Sequence, residues 1–123
     1  NNLDMLEAMK TSAMMQKGWR FDPTVCPLNE IVEMATVNGA VALGLDTGLL
    51  QEGKLADIQI IDTTGYNFLS PGSFLANYVY SAHSDCIESL ISNGKFVMRN
   101  RRVEGEEEIL REARKVLNRI RMK

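Results

Sequence analysis

The apolar positions at the start of the chain repeat at helical spacing: Leu3, Leu6, Met9 and Ala13, with Met5 beside Met9. Asn2 stands ahead of this run as an N-cap and Gly18 follows it as a stop, so the pattern predicts a first helix between them. Asp4 falls in its first turn, where an acid is favoured by the helix dipole. WRFDPTVCP then reads as loop, because Pro23 and Pro27 both disfavour helix in the residue before them. A second helix begins near Leu28, with Ile31, Met34 and Ala35 on one face. Thr36 and Asn38-Gly39 either end it or open a short helix from Ala40 to Leu43, which Gly44 closes.

In the middle of the chain the period changes. Ile58 and Ile60 alternate with Gln59 and Ile61, which predicts a largely buried strand bounded by Gly53 and Thr63-Thr64-Gly65. Ser73 to Ala82 reads as a short helix carrying Phe74, Tyr78 and Val79. CIESLISNGKFVMRN is the clearest hairpin: two β-rich runs flank Asn93-Gly94, the pair that best tolerates the positive φ angles of a type I′ turn. In the last helix Ile109, Ala113, Val116, Leu117 and Ile120 form one apolar stripe. Glu106 to Glu108 lie at its positive end, Arg119, Arg121 and Lys123 lie at its negative end, and Glu107 with Arg111 is an i,i+4 pair. The pattern is α+β: helices, three strands, then a helix. The methionine-rich first helix has no obvious partner sheet, which leaves open a small independent core or a piece of a larger body.

Composition narrows the class. With 123 residues, 45% of them hydrophobic and 24% charged, the chain is of ordinary globular type and long enough for one modest domain. A net charge of -2 argues against a nucleic-acid or anionic-membrane partner held by electrostatics. Arg99, Arg101 and Arg102 are diluted at once by Glu104 and Glu106 to Glu108, and read as a solvated turn. No apolar stretch reaches the length of a membrane span, and no signal-peptide pattern opens the chain. Cys26 and Cys86 are too few for a disulfide framework and predict reduced thiols in a cytoplasmic protein. A start at Asn1 leaves processing, trimming or excision from a larger protein open.

Candidate chemistry is sparse. A metal hydrolase site takes three or four well-placed ligands, and His83 is the one histidine, with no CxxC, HxH or HExxH pairing. His83, Asp85 and Cys86 are spaced too tightly for one helix face. His83 instead reads as the end of the preceding helix, where an imidazolium suits the carbonyl end. His83 with Asp85 as base and orienter would need a nucleophile that nothing points to. GLDTGLLQEGK lacks P-loop spacing, since Leu55 follows Lys54 where a magnesium-binding hydroxyl belongs. Trp19, Phe21, Tyr66, Phe68, Tyr78 and Tyr80 read as packing. Met5, Met9, Met14, Met15 and Met34 read as core or interface filling. The residues carry no complete catalytic constellation.

Four stretches resemble the C-terminal portion of a metal-dependent amidohydrolase, of the methylthioadenosine/S-adenosylhomocysteine deaminase and chlorohydrolase-like (atrazine/triazine hydrolase) branch. They are NNLDMLEAMKTSAMMQKG, EIVEMATVNGAVALGLD, LLQEGKLADIQIID and YSAHSDCIESLISNGKFVMRNRRV. The resemblance implies a (β/α)8 barrel with a composite β-sandwich. Residues 1–50 would be the helical tail of the barrel, 51–104 the sandwich strands and 105–123 a C-terminal amphipathic helix. It implies a parent enzyme in which zinc or iron activates water to deaminate an adenosine-type or related heterocyclic small molecule. The family's ligands, an HxH pair, two further histidines and an aspartate, would all precede Asn1, as would its proton-shuttling glutamate. No catalytic or metal residue then lies in this chain, and Asn1 and Asn2 are nearest the site. The implied partners are the missing N-terminal barrel and a second copy, through exposed apolar helices bearing Met5, Met9 and Met14. The alternative is a freestanding non-catalytic interaction or structural module.

Overall fold

The computed structural model describes residues 3–121. The first helix, α1 (Met5–Arg20), is followed by α2 (Leu28–Ala35) and α3 (Val37–Leu43). Strand β1 (Ile58–Ile61) and α4 (Phe74–Tyr80) come next, then the hairpin β2 (Ile87–Ser92) and β3 (Lys95–Met98), and last α5 (Glu106–Arg121). Two 3-10 turns, Tyr66–Phe68 and Ser84–Cys86, flank α4.

The start of α1 differs from expectation. Asp4 rather than Asn2 is the N-cap: its Oδ1 accepts from the amides of Leu6 at 2.9 Å and Glu7 at 3.2 Å. The helix also runs through Gly18 and ends only at Phe21, which takes the left-handed conformation (φ 51°). The ammonium of Lys17 donates to the carbonyls of Pro23 and Val25 at 2.6 and 2.7 Å, fastening this end to the following loop. Those bonds favour two more residues of helix over the local preference of Gly18 to stop it. Farther on, α3 ends at Gly44 in the left-handed conformation (φ 65°), as the sequence predicts.

Leu6, Met9 and Ala13 of α1 pack with Ile31 of α2, Val79 of α4, Ala82 and Cys86. This is the core: α1, α2 and α4 against one another, with Ile61 and Ile87 reaching in from the sheet. Burying a side chain such as Ile31 or Val79 stabilises the fold by roughly 2 kcal/mol. Met34 is about half exposed and does not share the buried face of Ile31. Of the five methionines read as filling, Met9 alone is buried and the others are exposed. Trp19, Phe21 and Tyr66 are likewise exposed instead of packed, whereas Phe68, Tyr78 and Tyr80 lie against the core. Phe74 stacks between Phe68 and Tyr78, with ring centroids 5.9 and 5.6 Å apart.

The sheet has strand order β1-β2-β3 with both pairs antiparallel. Strand β1 is an edge and not a largely buried strand: Ile58 and Ile61 are half-buried while Gln59 and Ile60 are exposed. A register shift between Ile60 and Ile61 breaks the alternation and sends Ile61 to the core. Between β2 and β3, Asn93 (φ 47°) and Gly94 (φ 76°) form the expected turn. No residue of α5 is buried, and within it Arg111 pairs with Glu108 instead of Glu107. Among the described residues no helix is long and apolar enough to cross a membrane.

Candidate functional site

The polar side chains gather where the helices meet the sheet, and three aspartates organise them. Asp4, already the cap of α1, accepts a second bond at Oδ2 from the hydroxyl of Ser84, which joins residues far apart in sequence. That hydroxyl is the main reason the Asp4 carboxyl lies below its ordinary pKa, with the amides of Glu7 and Leu6 and the nearby His83 adding to it.

Asp57 ends the GKLAD stretch and reaches across to the hairpin. Its Oδ1 accepts from the amide of Asn93 at 2.7 Å, while the carbonyl of Ala56 accepts from the amide of Gly94 at 2.9 Å. The Asn93 amide is the largest cause of the lowered Asp57 pKa. The two amides of the type I′ turn are thus held by the two residues before β1. Lys54 pairs with Asp46.

Asp62 follows β1 and is tied twice. Thr64 donates to its Oδ1 through the hydroxyl at 2.6 Å and the amide at 3.0 Å, and Arg101 Nη2 lies 2.7 Å from its Oδ2. The Thr64 hydroxyl first, then the Thr64 amide and Arg101, hold this carboxyl well below the usual carboxylate range. Arg101 also donates from Nε to the carbonyl of Asp85 at 3.0 Å. It is therefore a staple between β1 and the Ser84–Cys86 turn, within a 99–102 turn that is solvent-exposed as the sequence predicts. The chain turns tightly there, with Arg99 and Arg102 bonded to each other through both amides, and with Asn100 (φ 50°) and Arg101 (φ 60°) left-handed. Arginine disfavours that conformation, so the turn carried only the signal of Asn100.

A cleft of about 440 Å³ opens between α1 and the sheet, with Asp4, Met9, Ile58, Gln59, Tyr78 and Ser84 among its lining. The Tyr78 hydroxyl donates to Gln59 Oε1. Its pKa is pushed up to about 12, first by burial and then by the charges of Cys86 and Asp4, so it serves as a donor and not as a phenolate.

None of these groups forms a nucleophile with its base. The Ser84 hydroxyl proton is directed at Asp4, not at His83. His83 is exposed and does not close α4, which ends at Tyr80 with Ser81 as its cap. His83 instead has extended backbone and precedes the Ser84–Cys86 turn. No hydrogen bond joins His83 and Asp85 among the described residues. Cys86 is buried and its thiol is pushed up, chiefly by desolvation, which makes it a poor thiolate; both it and Cys26 are free thiols. Among the described residues no three His, Cys, Asp or Glu side chains gather closely enough to hold a metal ion, so the donor set does not fit a zinc or iron site. Asn1 and Asn2, the positions expected nearest to a site, lie outside the described residues.

Comparison with known proteins gives these features a context. Residues 1–97 match the amidohydrolase family. The chain is 45% identical over 101 residues to the 5-methylthioadenosine/S-adenosylhomocysteine deaminase of Thermococcus onnurineus, covering 82% of this chain and 24% of that protein. It is 39% identical over 123 residues to 5-methylthioadenosine/S-adenosylhomocysteine deaminase 1 of Archaeoglobus fulgidus, covering 98% of this chain and 29% of that protein. The chain thus spans about a quarter of the length of these relatives. In structure it resembles an adenosine deaminase from Xanthomonas campestris solved with bound zinc, with a TM-score of 0.90 at 24% identity over 97% of this chain and 28% of that one. At that identity the likeness is one of fold. The family match over residues 1–97 and the near-complete alignment to the Archaeoglobus fulgidus deaminase show that this chain belongs to the amidohydrolase family.

Proposed function

We propose that this chain is the C-terminal portion of a metal-dependent hydrolase acting on non-peptide carbon–nitrogen bonds, a hydrolytic deaminase of an adenosine-type or related heterocyclic substrate. The observation that carries the proposal is the 39% identity to the Archaeoglobus fulgidus deaminase across 98% of the chain. In such an enzyme zinc or iron supplies an ionised water at neutral pH. In this reading its ligands precede Asn1, and Asn1 and Asn2 border the site from the rim. Residues 1–50 then end a (β/α)8 barrel, 51–104 complete a β-sandwich and 105–123 form a terminal helix.

The chain's own residues act as support. Asp4 and Ser84 set where the chain enters α1, Asp57 holds the hairpin, and Asp62 with Arg101 fastens β1. The exposed Met5, Met14, Met15, Trp19, Val41 and Leu43 leave apolar faces for the rest of the polypeptide to cover. We also place the parent in the cytoplasm, and infer that this chain self-associates through its exposed apolar helices.

The test is to express the chain alone and measure metal content and deamination of adenosine-type substrates. Neither bound zinc nor turnover is expected. The coding sequence upstream of Asn1 is expected to encode an HxH pair and a final aspartate, and supplying that part is expected to bring turnover. Stoichiometric zinc with turnover by the 123 residues alone would overturn the proposal. An upstream sequence without those ligands, together with a cooperatively folded monomer, would point to the non-catalytic module instead.

A further inference from the structure

We propose that α5 is a dimerisation helix that pairs antiparallel with α5 of a second copy of this chain. The proposal rests on the self-association just inferred and assigns it to one face. At about 100° per residue, Ile109, Leu110, Ala113, Val116, Leu117 and Ile120 share one side of α5. The five large ones among them are 45% to 67% exposed, and no residue of α5 is buried.

The charges along α5 identify the occupant. Acids occupy the first turn (Glu106, Glu107 and Glu108) and bases the last (Arg119 and Arg121). The same geometry puts Glu108 and Arg119 along one border of the apolar face, and Arg121 along the other. With a two-fold axis between Ala113 and Arg114, antiparallel pairing brings Glu108 level with Arg119 of the second copy and Glu106 level with Arg121. Each pair then occurs twice, because a two-fold interface is self-complementary. A parallel pair would set acids against acids and bases against bases. The antiparallel arrangement also opposes the two helix dipoles favourably. Two helices of 16 residues bury less than the ~800 Å² per partner of a standard stable interface, so the dimer is weak and concentration-dependent.

Sedimentation equilibrium of the 123-residue chain over a concentration series, at low and high salt, tests this. A monomer–dimer equilibrium that weakens with salt is expected. Arg119→Glu/Arg121→Glu should raise the dimer Kd roughly tenfold or more, since flanking charges set partner orientation. Adding Glu106→Arg/Glu108→Arg to that variant should restore dimerisation, while Met5→Glu/Met14→Glu should leave it unchanged. Circular dichroism checks that each variant keeps its helix. If the dimer survives the Arg119/Arg121 reversal at unchanged Kd, or is lost only in the methionine variant, α5 is not the interface although the chain self-associates. A monomer at every concentration would overturn both the α5 assignment and self-association itself.

Discussion

Replacing Ile31 with alanine removes three side-chain carbons from the centre of the helical core, where Ile31 is 1% exposed among Leu6, Met9, Ala13 and Val79. At about 0.8 kcal/mol per buried methylene or methyl, the lost transfer free energy is about 2.4 kcal/mol. The adjacent α1 is tied at both ends, by Asp4 and Lys17, so the site collapses only in part. A residual cavity of roughly 50 Å³ at about 24 cal/mol per Å³ adds about 1.2 kcal/mol. Ile31→Ala is therefore expected to destabilise by about 3.6 kcal/mol, a large share of the ~5–15 kcal/mol typical of a domain. Met34 is on the same helix but 53% exposed, and Met34→Ala should cost less than about 1 kcal/mol. Urea unfolding followed by circular dichroism compares the two through their midpoints at constant m-value. If Ile31→Ala lies within about 1 kcal/mol of Met34→Ala, the packing described for α1, α2 and α4 is wrong.

Further outcomes follow from the polar network and the glycines. Asp57→Ala should speed amide exchange at Asn93 with little effect at Val79, because it removes the acceptor 2.7 Å from that amide; Asp57→Asn should do so less. Gly48→Ala should destabilise by more than about 2 kcal/mol and Gly53→Ala by about 1 kcal/mol. Both glycines have positive φ, 90° and 86°, but a Cβ at Gly48 would meet the Thr36 carbonyl oxygen at 3.0 Å, whereas one at Gly53 meets nothing within 4 Å. Asp62 and Asp4 have lowered folded-state pKa values, so the unfolded chain binds more protons near their titration and stability rises with pH there. Their contribution should be complete above about pH 4 and be lost as pH falls below it, and Asp62→Asn should flatten the acid limb of the urea-midpoint profile. Cys86, buried and with a raised pKa, should react with a thiol reagent only slowly in the native chain and rapidly in denaturant.

What the sequence determined by itself is local. The spacing of Leu6, Met9 and Ala13, the turn pair Asn93-Gly94, the left-handed stop at Gly44 and the presence of a strand at Ile58 were legible because each depends on a few neighbouring residues, whereas the burial along that strand was not. The family was also legible, since NNLDM, GKLAD and the hairpin stretch carry it as text. What only the tertiary structure decided is which equivalent positions are buried and what the polar groups hold. Ile31 and Met34 look alike in the sequence, but only Ile31 meets Leu6 and Val79. The length of α1 depends on a Lys17 ammonium bonded to carbonyls six and eight residues away. The role of Arg101 as a staple was not legible because its partners, Asp62 and Asp85, lie 39 and 16 residues back in the chain. Such contacts join residues brought together only after the helices and strands have packed, so no pattern of near neighbours encodes them.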